Sequence, residues 1–203
     1  EAFQPQTQVK GAHGTFTIDK DGNWTYQLDN DDPQVQALKE GESLPNETFV
    51  VKSADGSAQH TVTVTITGTN DIATIGVATP GADQGAVKED VTLTTNGKLV
   101  ATDVDNGEAV FQPQTQVKGD HGTFTIDQDG NWTYTLDNDD PQVQALKEGE
   151  SLPSETFVVK SADGSAQHTV TVTITGTNDI ATIGVATPGA DQGAVKEDVT
   201  LTT

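Results

Sequence analysis

Oxygen-bearing side chains are concentrated in one short segment, Asp103-Val-Asp105-Asn-Gly-Glu108. Carboxylate, amide and carbonyl oxygens are the ligands that Ca²⁺ prefers, and it takes six to eight of them. Zn²⁺ or Cu²⁺ would require His or Cys, but the chain has no Cys and only 4 His. Neither Asp103 nor Asp105 is needed to form a turn, so this segment predicts a calcium site.

Further acidic pairs enlarge this candidate site. Asn70-Asp71 and Asn178-Asp179 each follow a segment of strongly alternating Thr and Val, and Glu89-Asp90 lies near the start of a repeated unit. Asp139 and Asp140 belong to another acidic group. The complete set of predicted metal ligands is Asn70, Asp71, Glu89, Asp90, Asp103, Asp105, Glu108, Asp139, Asp140, Asn178 and Asp179.

Other acidic motifs have a structural explanation. DKDGN at 19–23 and DQDGN at 127–131 join pairs of alternating segments, so a hairpin turn accounts for them better than a metal does. SADGS at 161–165 is interpreted as a turn first. Asp140 precedes Pro141, which predicts a capped helical turn and accounts for at least one Asp of LDNDD. The histidines are predicted to be structural, and they are His13, His60, His121 and His168.

The acidic excess restricts the possible functions. The 203 residues include 31 Asp and Glu against 10 Lys and Arg, which gives a net charge of −21. Such a chain cannot neutralise nucleic-acid phosphates or dock on anionic membranes. No apolar run approaches the roughly 20 residues of a membrane span, and no signal peptide is expected at the N-terminus. No nucleophile motif is present and no carboxylate pair is predicted in an apolar pocket, so an enzyme is not expected.

The sequence contains a long internal repeat. FQPQTQVKG begins at Phe3 and again at Phe111, so the period is 111 − 3 = 108 residues. Residues 3–95 align with 111–203, and the four differences are Ala12/Asp120, Lys20/Gln128, Gln27/Thr135 and Asn46/Ser154. A unit of about 108 residues has the size of one sandwich domain. We therefore expect 1–72 to be the C-terminal part of one repeat, 73–180 a complete repeat, and 181–203 the N-terminal strands of a third.

Alternating apolar and polar residues predict strands throughout each unit. In one segment Val170, Val172 and Ile174 would face the core, with Thr residues on the opposite face. The pattern predicts an all-β fold of tandem Ig-like sandwiches. The predicted strands are 73–77, 87–94, 98–103, 111–117, 122–127, 131–137, 155–161 and 168–175.

The order of these strands assigns each loop to one end of the sandwich. Loops 103–110, 127–131 and 162–167 should meet at one end. Loops 94–98, 117–122 and 137–154 and the chain exit should meet at the other. Stacking successive repeats would bring two acidic ends together, and divalent cations would convert their repulsion into attraction.

Four motifs carry a resemblance to a known family. V-K-E-D at 87–90, T-D-V-D-N-G-E at 102–108, G-N-W-T-Y-T-L-D at 130–137 and TGTNDI at 175–180 occur in order across the unit. With these motifs the chain resembles the VCBS-type, cadherin-like repeats that form extender regions of large bacterial adhesins exported by type I secretion. The resemblance implies an Ig-like extracellular module with Ca²⁺ at its junctions.

The resemblance also implies a ligand set. An early Glu corresponds to Glu89, a D-x-D motif to Asp103 and Asp105, and an N-D linker to Asn70-Asp71 or Asn178-Asp179. The sequence departs from the family pattern in its linker, which is NDI-A where NDAP is commoner.

We therefore predict a structural spacer of a bacterial cell-surface RTX-type adhesin, stiffened by Ca²⁺ and supporting cell adhesion or biofilm formation. Its partners would be neighbouring repeats of the same chain. A further predicted partner is a second chain, in which the tail 181–203 of one molecule completes residues 1–72 of another by strand addition. The alternative is a carbohydrate- or ice-binding module that uses the row Thr169, Thr171 and Thr173, with Trp132 stacking on a sugar.

Overall fold

The computed structural model describes residues 2–195 and 197. Its strands in chain order are β1 (Gln6–Lys10), β2 (Gly14–Ile18), β3 (Trp24–Leu28), β4 (Glu47–Lys52), β5 (Gln59–Val64), β6 (Thr74–Val77), β7 (Gln84–Lys88), β8 (Thr94–Thr102), β9 (Gln114–Lys118), β10 (Gly122–Ile126), β11 (Asn131–Leu136), β12 (Glu155–Lys160) and β13 (Gln167–Thr175). Two helical turns are α1 (Pro33–Gln36) and α2 (Pro141–Gln144). Among the described residues, no helix has the length and apolar character needed to cross a membrane.

Residues 73–180, which we call the complete module, form a sandwich of two sheets. One sheet has the order β6-β8-β11-β10-β9, and the other has the order β12-β13-β7. All pairs are antiparallel except β13 and β7, which are parallel. This is the all-β, Ig-like sandwich that the alternation predicts, because each strand places every second side chain in the core.

The core of the complete module is formed by the inward side chains of both sheets. Phe124 and Phe157 stack across it with their ring centroids 4.6 Å apart. Trp132 is 1% exposed, and its Nε1–H donates to the Ala82 carbonyl at 2.8 Å. Val170, Val172 and Ile174 are fully buried, as their spacing predicts. Trp132 is therefore a core residue, and the prediction that it could stack on a sugar is wrong.

Residues 2–72, which we call the open module, repeat part of this architecture. The sheet β1-β2-β3 corresponds to β9-β10-β11, and the sheet β4-β5 corresponds to β12-β13. Phe16 stacks on Phe49 at 4.6 Å, as in the complete module. No strand in the described residues pairs with β3 or β5 in the way that β8 and β7 pair with β11 and β13.

Several turns agree with the sequence. Asp140 caps α2, since its side chain accepts the Gln142 N–H at 2.7 Å. Asp127 closes the β10–β11 hairpin, because its two carboxylate oxygens accept the backbone N–H and the side-chain amide of Asn131. These side chains satisfy the local backbone, which is the role that their positions predict.

One strand boundary is wrong. The predicted strand 87–94 is interrupted at 89–93, where Asp90 has a φ of 57° and the chain crosses from the three-stranded to the five-stranded sheet. The predicted loop 94–98 is the start of β8. Within this segment, Gly97 lies where an added Cβ would be 2.6 Å from Trp132 Nε1. Glycine is needed here for close packing on the indole.

The strand directions nevertheless place the acidic loops as predicted. β6 and β7 run opposite to β8, β11 runs opposite to β8 and β10, and β12 runs opposite to β13. The loops 103–113, 127–130 and 161–166 therefore share one end, which we call the upper end. Loops 89–93 and 137–154 and the exit at 176–180 share the lower end.

Candidate metal site

The loop between β8 and β9 positions three predicted ligands at the upper end of the complete module. The Asp105 N–H donates to Asp103 Oδ1 at 2.9 Å, which folds the start of the loop back on itself. The expectation that Asp103 has no role in a turn is therefore wrong, and its other oxygen, Oδ2, is the one without a partner among the described residues. Gly107, with a φ of 78°, then turns the chain so that Glu108 faces Asp103. Carboxylate oxygens of Asp103 and Glu108 lie within 4.8 Å of each other.

Asp163, from the loop between β12 and β13, completes this group. One of its carboxylate oxygens lies within 4.8 Å of those from Asp103 and Glu108. Asp163 also accepts the Ser161 hydroxyl hydrogen at 2.6 Å, so the turn predicted for SADGS is present as well. The sequence motif alone indicated only the turn. The strand order was the signal that Asp163 could also join a metal site, because it placed this loop at the same end as Asp103.

The charge state of Asp163 is set by its hydrogen bonds. Burial acts to raise the pKa of its carboxyl group, but hydrogen bonds from Ser161, Ser165 and Asn70 outweigh burial and lower the pKa to about 2. Donors stabilise the ionised form more than the neutral one. Asp163 is therefore an anion at any physiological pH.

The linker between the two modules, which contains Asn70 and Asp71, contacts the same group of residues. The Asp71 N–H donates to Asp105 Oδ2 at 2.8 Å, and the Asn70 side-chain amide donates to Asp163 Oδ2 at 3.2 Å. The Asn70 N–H donates to Glu40 Oε2 at 3.1 Å, which ties the linker to the open module. Predicted ligands from the linker and from the D-x-D segment thus converge.

Within the part of the chain that the structure describes, several oxygens of this loop have no hydrogen-bond partner. They are buried atoms of three side chains, Asp103 Oδ2, Asp105 Oδ1 and Glu108 Oε2. Asp105 is 2% exposed. A buried ionised carboxylate is costly unless a counter-charge or hydrogen-bond donor meets it. A bound cation is one counter-charge that these oxygens could receive.

The donor set fits a hard divalent ion. Oxygens bound to one Ca²⁺ at about 2.3–2.6 Å lie at most roughly 5 Å apart, and the three carboxylates meet this condition. The group contains oxygen donors and no His, which excludes the usual zinc ligand set. Asp103, Asp105, Glu108 and Asp163 carry four negative charges, and Lys39 brings one positive charge to Glu108 at 3.5 Å.

The modules also meet through direct contacts beside this group. The Asn106 N–H of the complete module donates to the Ala37 carbonyl of the open module at 3.1 Å. Within the complete module, the Ala73 N–H donates to Ser165 Oγ at 2.9 Å, which holds the chain next to the linker against the upper loops. Together with the Lys39–Glu108 ion pair, these contacts place the upper loops of the complete module against the lower end of the open module. The acidic group therefore lies at the junction.

A second acidic group lies at the lower end of the complete module. Oxygens of Glu89, Asp90 and Asp179 lie within 4.8 Å of one another. Glu89 is fully buried, and its Oε2 accepts the Thr177 N–H at 3.1 Å, whereas its Oε1 has no hydrogen-bond partner among residues 2–195 and 197. The left-handed backbone of Asp90 is held by Asn138, whose side chain both accepts the Asp90 N–H and donates to its carboxylate. Asn138 is a neighbour that sequence analysis did not identify.

Asp71 and Asp105 are linked to the first group only by hydrogen bonds, and three more predicted ligands lie outside both groups. Asn178 donates to the Asp179 carbonyl at 3.0 Å, as Asn70 does to Asp71, and is exposed. Asp139 is exposed in the turn before α2. Asp140 has both oxygens occupied, by the Gln142 N–H and by His121 Nδ1 at 2.8 Å. That partnership lowers the Asp140 pKa, mainly through the His121 hydrogen bond.

Comparisons with known proteins agree with this architecture. A family model described as bacterial cadherin-like domain matches residues 2–68 and 76–176. A curated protein, the calcium-binding lectin RapA2 of Rhizobium johnstonii, is 30% identical over 189 residues, covering 85% of this chain and 76% of RapA2.

Solved structures of animal cadherin domains were also found. Mouse clustered protocadherin PcdhgC3 EC1-3 matches 79% of this chain and 50% of its own, with 15% identity and a TM-score of 0.39. Zebrafish RET cadherin-like domains 1 to 4 match 87% of this chain and 41% of their own, with 12% identity and a TM-score of 0.32. The chain thus spans half or less of these structures.

Proposed function

Because the chain belongs to the bacterial cadherin-like domain family, we propose that it is a spacer of an extracellular adhesin whose modules are held in line by Ca²⁺ at their junctions. The role is structural and requires no catalysis. The observation that carries the proposal is the group of Asp103, Glu108 and Asp163 carboxylates at the module boundary. The same loop contains the buried Asp105, whose Oδ1 has no hydrogen-bond partner among the described residues.

Each residue at the junction has a distinct task in this proposal. Asp103, Asp105, Glu108 and Asp163 would hold the ion from the upper loops. The linker supplies the backbone N–H of Asp71, which fixes the Asp105 carboxylate, and the Asn70 amide, which fixes Asp163. A bound Ca²⁺ supplies the positive charge that four adjacent carboxylates lack.

The position of the group explains why binding would stiffen the chain. The upper loops belong to the complete module, whereas the linker is also bonded to Glu40 of the open module. A ligand set that draws on both sides of a hinge restricts rotation about it. Without the cation, repulsion among carboxylates at short range opposes the contact between the two modules.

The lower end of the complete module supports repetition of the same junction. Lys147, Glu148, Asn178 and Asp179 repeat Lys39, Glu40, Asn70 and Asp71, which receive the upper loops at the existing junction. Glu89 and Asp90 add two carboxylates beside Asp179. This face is suited to the upper loops of a following repeat, which would contribute the remaining oxygens.

The adhesive context rests on a relative. RapA2 is named a calcium-binding lectin, and its similarity over most of both chains supports an extracellular, adhesion-related role here. Export by type I secretion, an RTX-type parent protein and a part in biofilm formation belong to the same proposal. The near identity of the two repeats supports a spacer, because a spacer needs many equivalent modules.

The first experiment is thermal unfolding in EDTA, in about 5 mM Ca²⁺ and in Mg²⁺. A Ca²⁺ concentration about 100 times the dissociation constant adds about 2.7 kcal/mol to the folded state. For a module of about 100 residues that corresponds to a rise in Tm of roughly 10–20 °C. Small-angle scattering of the same samples should show an extended, less variable particle with Ca²⁺ alone.

A charge-matched pair of variants assigns the effect to the junction. D103N with D105N removes two charges from the candidate site but keeps oxygen acceptors for the loop hydrogen bonds. D31N with D129N removes two charges from exposed turns. The first variant should lose most of the Ca²⁺ response and the second should retain it. Equal responses in the two variants, or no response in the unmodified chain, would overturn the proposal.

A second candidate function is carbohydrate binding, which the name of RapA2 favours. Since Trp132 is buried, the surface available for it is the outward row of β13, where Thr169 and Thr173 are exposed. Glycan-array binding that disappears in a T169A/T171A/T173A variant would support this function. Ice-recrystallisation assays test the ice-binding form of the same hypothesis.

A further inference from the structure

Two Asn-Gly pairs in the complete module have different surroundings. They are Asn96-Gly97 in β8 and Asn106-Gly107 in the loop between β8 and β9. Asn-Gly is prone to deamidation, because glycine places no side chain between its backbone nitrogen and the preceding side-chain amide. Both Asn residues are exposed. Exposure therefore does not distinguish the two pairs, and the backbone around each one decides whether the reaction can occur.

Deamidation takes place within the chain and consumes only water. The backbone nitrogen of the glycine attacks Cγ of the asparagine, and a bond forms between these two atoms. The bond from Cγ to Nδ2 then breaks, and ammonia leaves with the proton that the glycine N–H has lost. Water opens the resulting succinimide at Cγ to give isoaspartate's isomer Asp, or at the backbone carbonyl to give isoaspartate. Closing the five-membered ring requires the asparagine backbone to leave the extended conformation.

Strand pairing opposes this rearrangement at the first pair. In the ladder between β8 and β11, Asn96 lies opposite Thr133 and Gly97 lies opposite Trp132. A Cβ at Gly97 would lie 2.2 Å from the Ala82 carbonyl oxygen, so the backbone here is tightly enclosed. Ring closure at Asn96 therefore requires local opening of the ladder, which costs free energy.

The second pair lies in a turn with space around it. The Glu108 N–H donates to the Asp105 carbonyl at 3.2 Å, which places Asn106 and Gly107 at the two central positions. Gly107 has a φ of 78°, and a Cβ added there would meet only Lys39 Nζ, at 3.8 Å. Among the described residues, no hydrogen bond involves the Asn106 side chain or the Gly107 N–H. Neither the attacking nitrogen nor the leaving amide is held by a partner there.

The products of deamidation would change the junction between the modules. The Asn106 N–H donates to the Ala37 carbonyl of the open module at 3.1 Å. The same loop already carries the carboxylates of Asp103, Asp105 and Glu108. A carboxylate at position 106 adds to their mutual repulsion, and isoaspartate also lengthens the main chain of the turn by one carbon. Both changes oppose the contact with the open module.

We propose that Asn106 is a site of spontaneous deamidation in the folded chain, and that the added charge weakens the contact between the two modules. Asn96 stays intact in the same molecule because its strand is paired. The modification needs no enzyme and accumulates with the age of the protein. The proposal rests on the backbone conformation and the junction contacts, so it does not depend on whether Ca²⁺ binds.

Peptide mapping by mass spectrometry tests the modification itself. During incubation of the folded chain in EDTA at mildly alkaline pH, Asn106 should convert to Asp and isoaspartate at least about tenfold faster than Asn96, because the paired strand must first open. In concentrated urea the two rates should become comparable. N106Q, whose longer side chain disfavours the five-membered ring, should release no ammonia from this loop. Equal rates at the two sites of the folded chain, or conversion at neither, would overturn the proposal.

A charge-matched pair of variants tests the consequence for the junction. N106D adds the carboxylate of one product, and N96D adds the same charge to the exposed face of β8. Small-angle scattering in EDTA should show a more variable particle for N106D and an unchanged one for N96D. Circular dichroism checks that both variants keep their strands. Unchanged scattering of N106D, or an equal change in N96D, would overturn the claim that the added charge weakens the contact.

Discussion

Trp24 and Trp132 occupy equivalent positions in nearly identical segments, yet one is half exposed and the other is buried. The same contrast holds for Leu28 and Leu136, which are 36% and 4% exposed. The four substitutions between the repeats do not include these residues. Neighbouring strands make the difference, because β7 and β8 cover the face of β11 and no described strand covers that of β3. Burial in a sandwich is a property of the completed sheet pair.

The largest expected effect comes from truncating the two Trp residues separately. Trp132→Ala should cost the complete module about 3–5 kcal/mol, since it removes a buried indole and its bond to Ala82. Trp24→Ala should cost the open module only about 1–2 kcal/mol, in proportion to the smaller apolar area buried. Urea unfolding followed by circular dichroism, with fluorescence of the remaining Trp, measures both. Equal losses would contradict the contrast.

Two glycine substitutions test whether packing by neighbouring strands stabilises the complete module. A Cβ at Gly97 would lie 2.2 Å from the Ala82 carbonyl oxygen, whereas nothing lies within 4 Å of a Cβ at Gly76. We expect Gly97→Ala to destabilise the complete module by about 1–3 kcal/mol and Gly76→Ala to change it by less than about 0.5 kcal/mol. Neither should alter the open module. Differential hydrogen exchange of the two modules provides the measurement.

Acid titration compares the equivalent residues Asp163 and Asp55. Hydrogen bonds lower the pKa of Asp55 to about 2, and the bond from Ser53 contributes most. Burial acts to raise the pKa of Asp163, but hydrogen bonds lower it to about 2 as well. A lowered folded pKa gives stability that is present above pH 4 and is lost as the pH falls toward 2. Asp163→Asn should reduce this loss and loosen the junction, because Asn70 contacts Asp163. Asp55→Asn should leave the junction unchanged in scattering curves recorded from pH 6 to pH 2.

The smallest effect concerns the equivalent tyrosines. Burial, followed by the charge of Glu47, raises the pKa of Tyr26 to about 12, and burial with the charge of Glu155 raises the pKa of Tyr134 further. Raised folded pKa values give stability that is present below pH 10 and is lost as the pH rises through them. Absorbance at alkaline pH should show Tyr26 ionising first, and Tyr26→Phe should remove that phase. Simultaneous ionisation would contradict the difference in burial.

Local chemistry made much of the fold predictable. The Thr and Val alternation of 168–175, the Asp140 cap before Pro141 and the Asp127 hairpin depend on neighbouring residues, and the structure has all three. The break at Glu89-Asp90 was missed because it depends on a crossing between sheets. Residues 94–98 were predicted as a loop, although they begin β8, because the packing of Gly97 against the Trp132 indole joins residues 35 positions apart in the sequence.

The candidate site was also predictable from the sequence only in part. Residue chemistry identified Asp103, Asp105 and Glu108, and loop order placed them opposite an acidic linker. The distances that join Asp103 and Glu108 to Asp163, and the burial of Asp105, depend on two loops from different sheets. The ligand role of all these residues stays a prediction until an ion is measured.

The sequence by itself determined the strand periodicity, the turns, the charge and the 108-residue repeat, because each depends on residue types and on contacts along the chain. It also determined the local turn that residues 79–84 and 187–192 share. Tertiary structure alone decided that Val87 is buried and Val195 exposed, and that Asp105 has an unpartnered oxygen. Identical segments differ in these respects because burial and electrostatic environment are set by what packs against a residue.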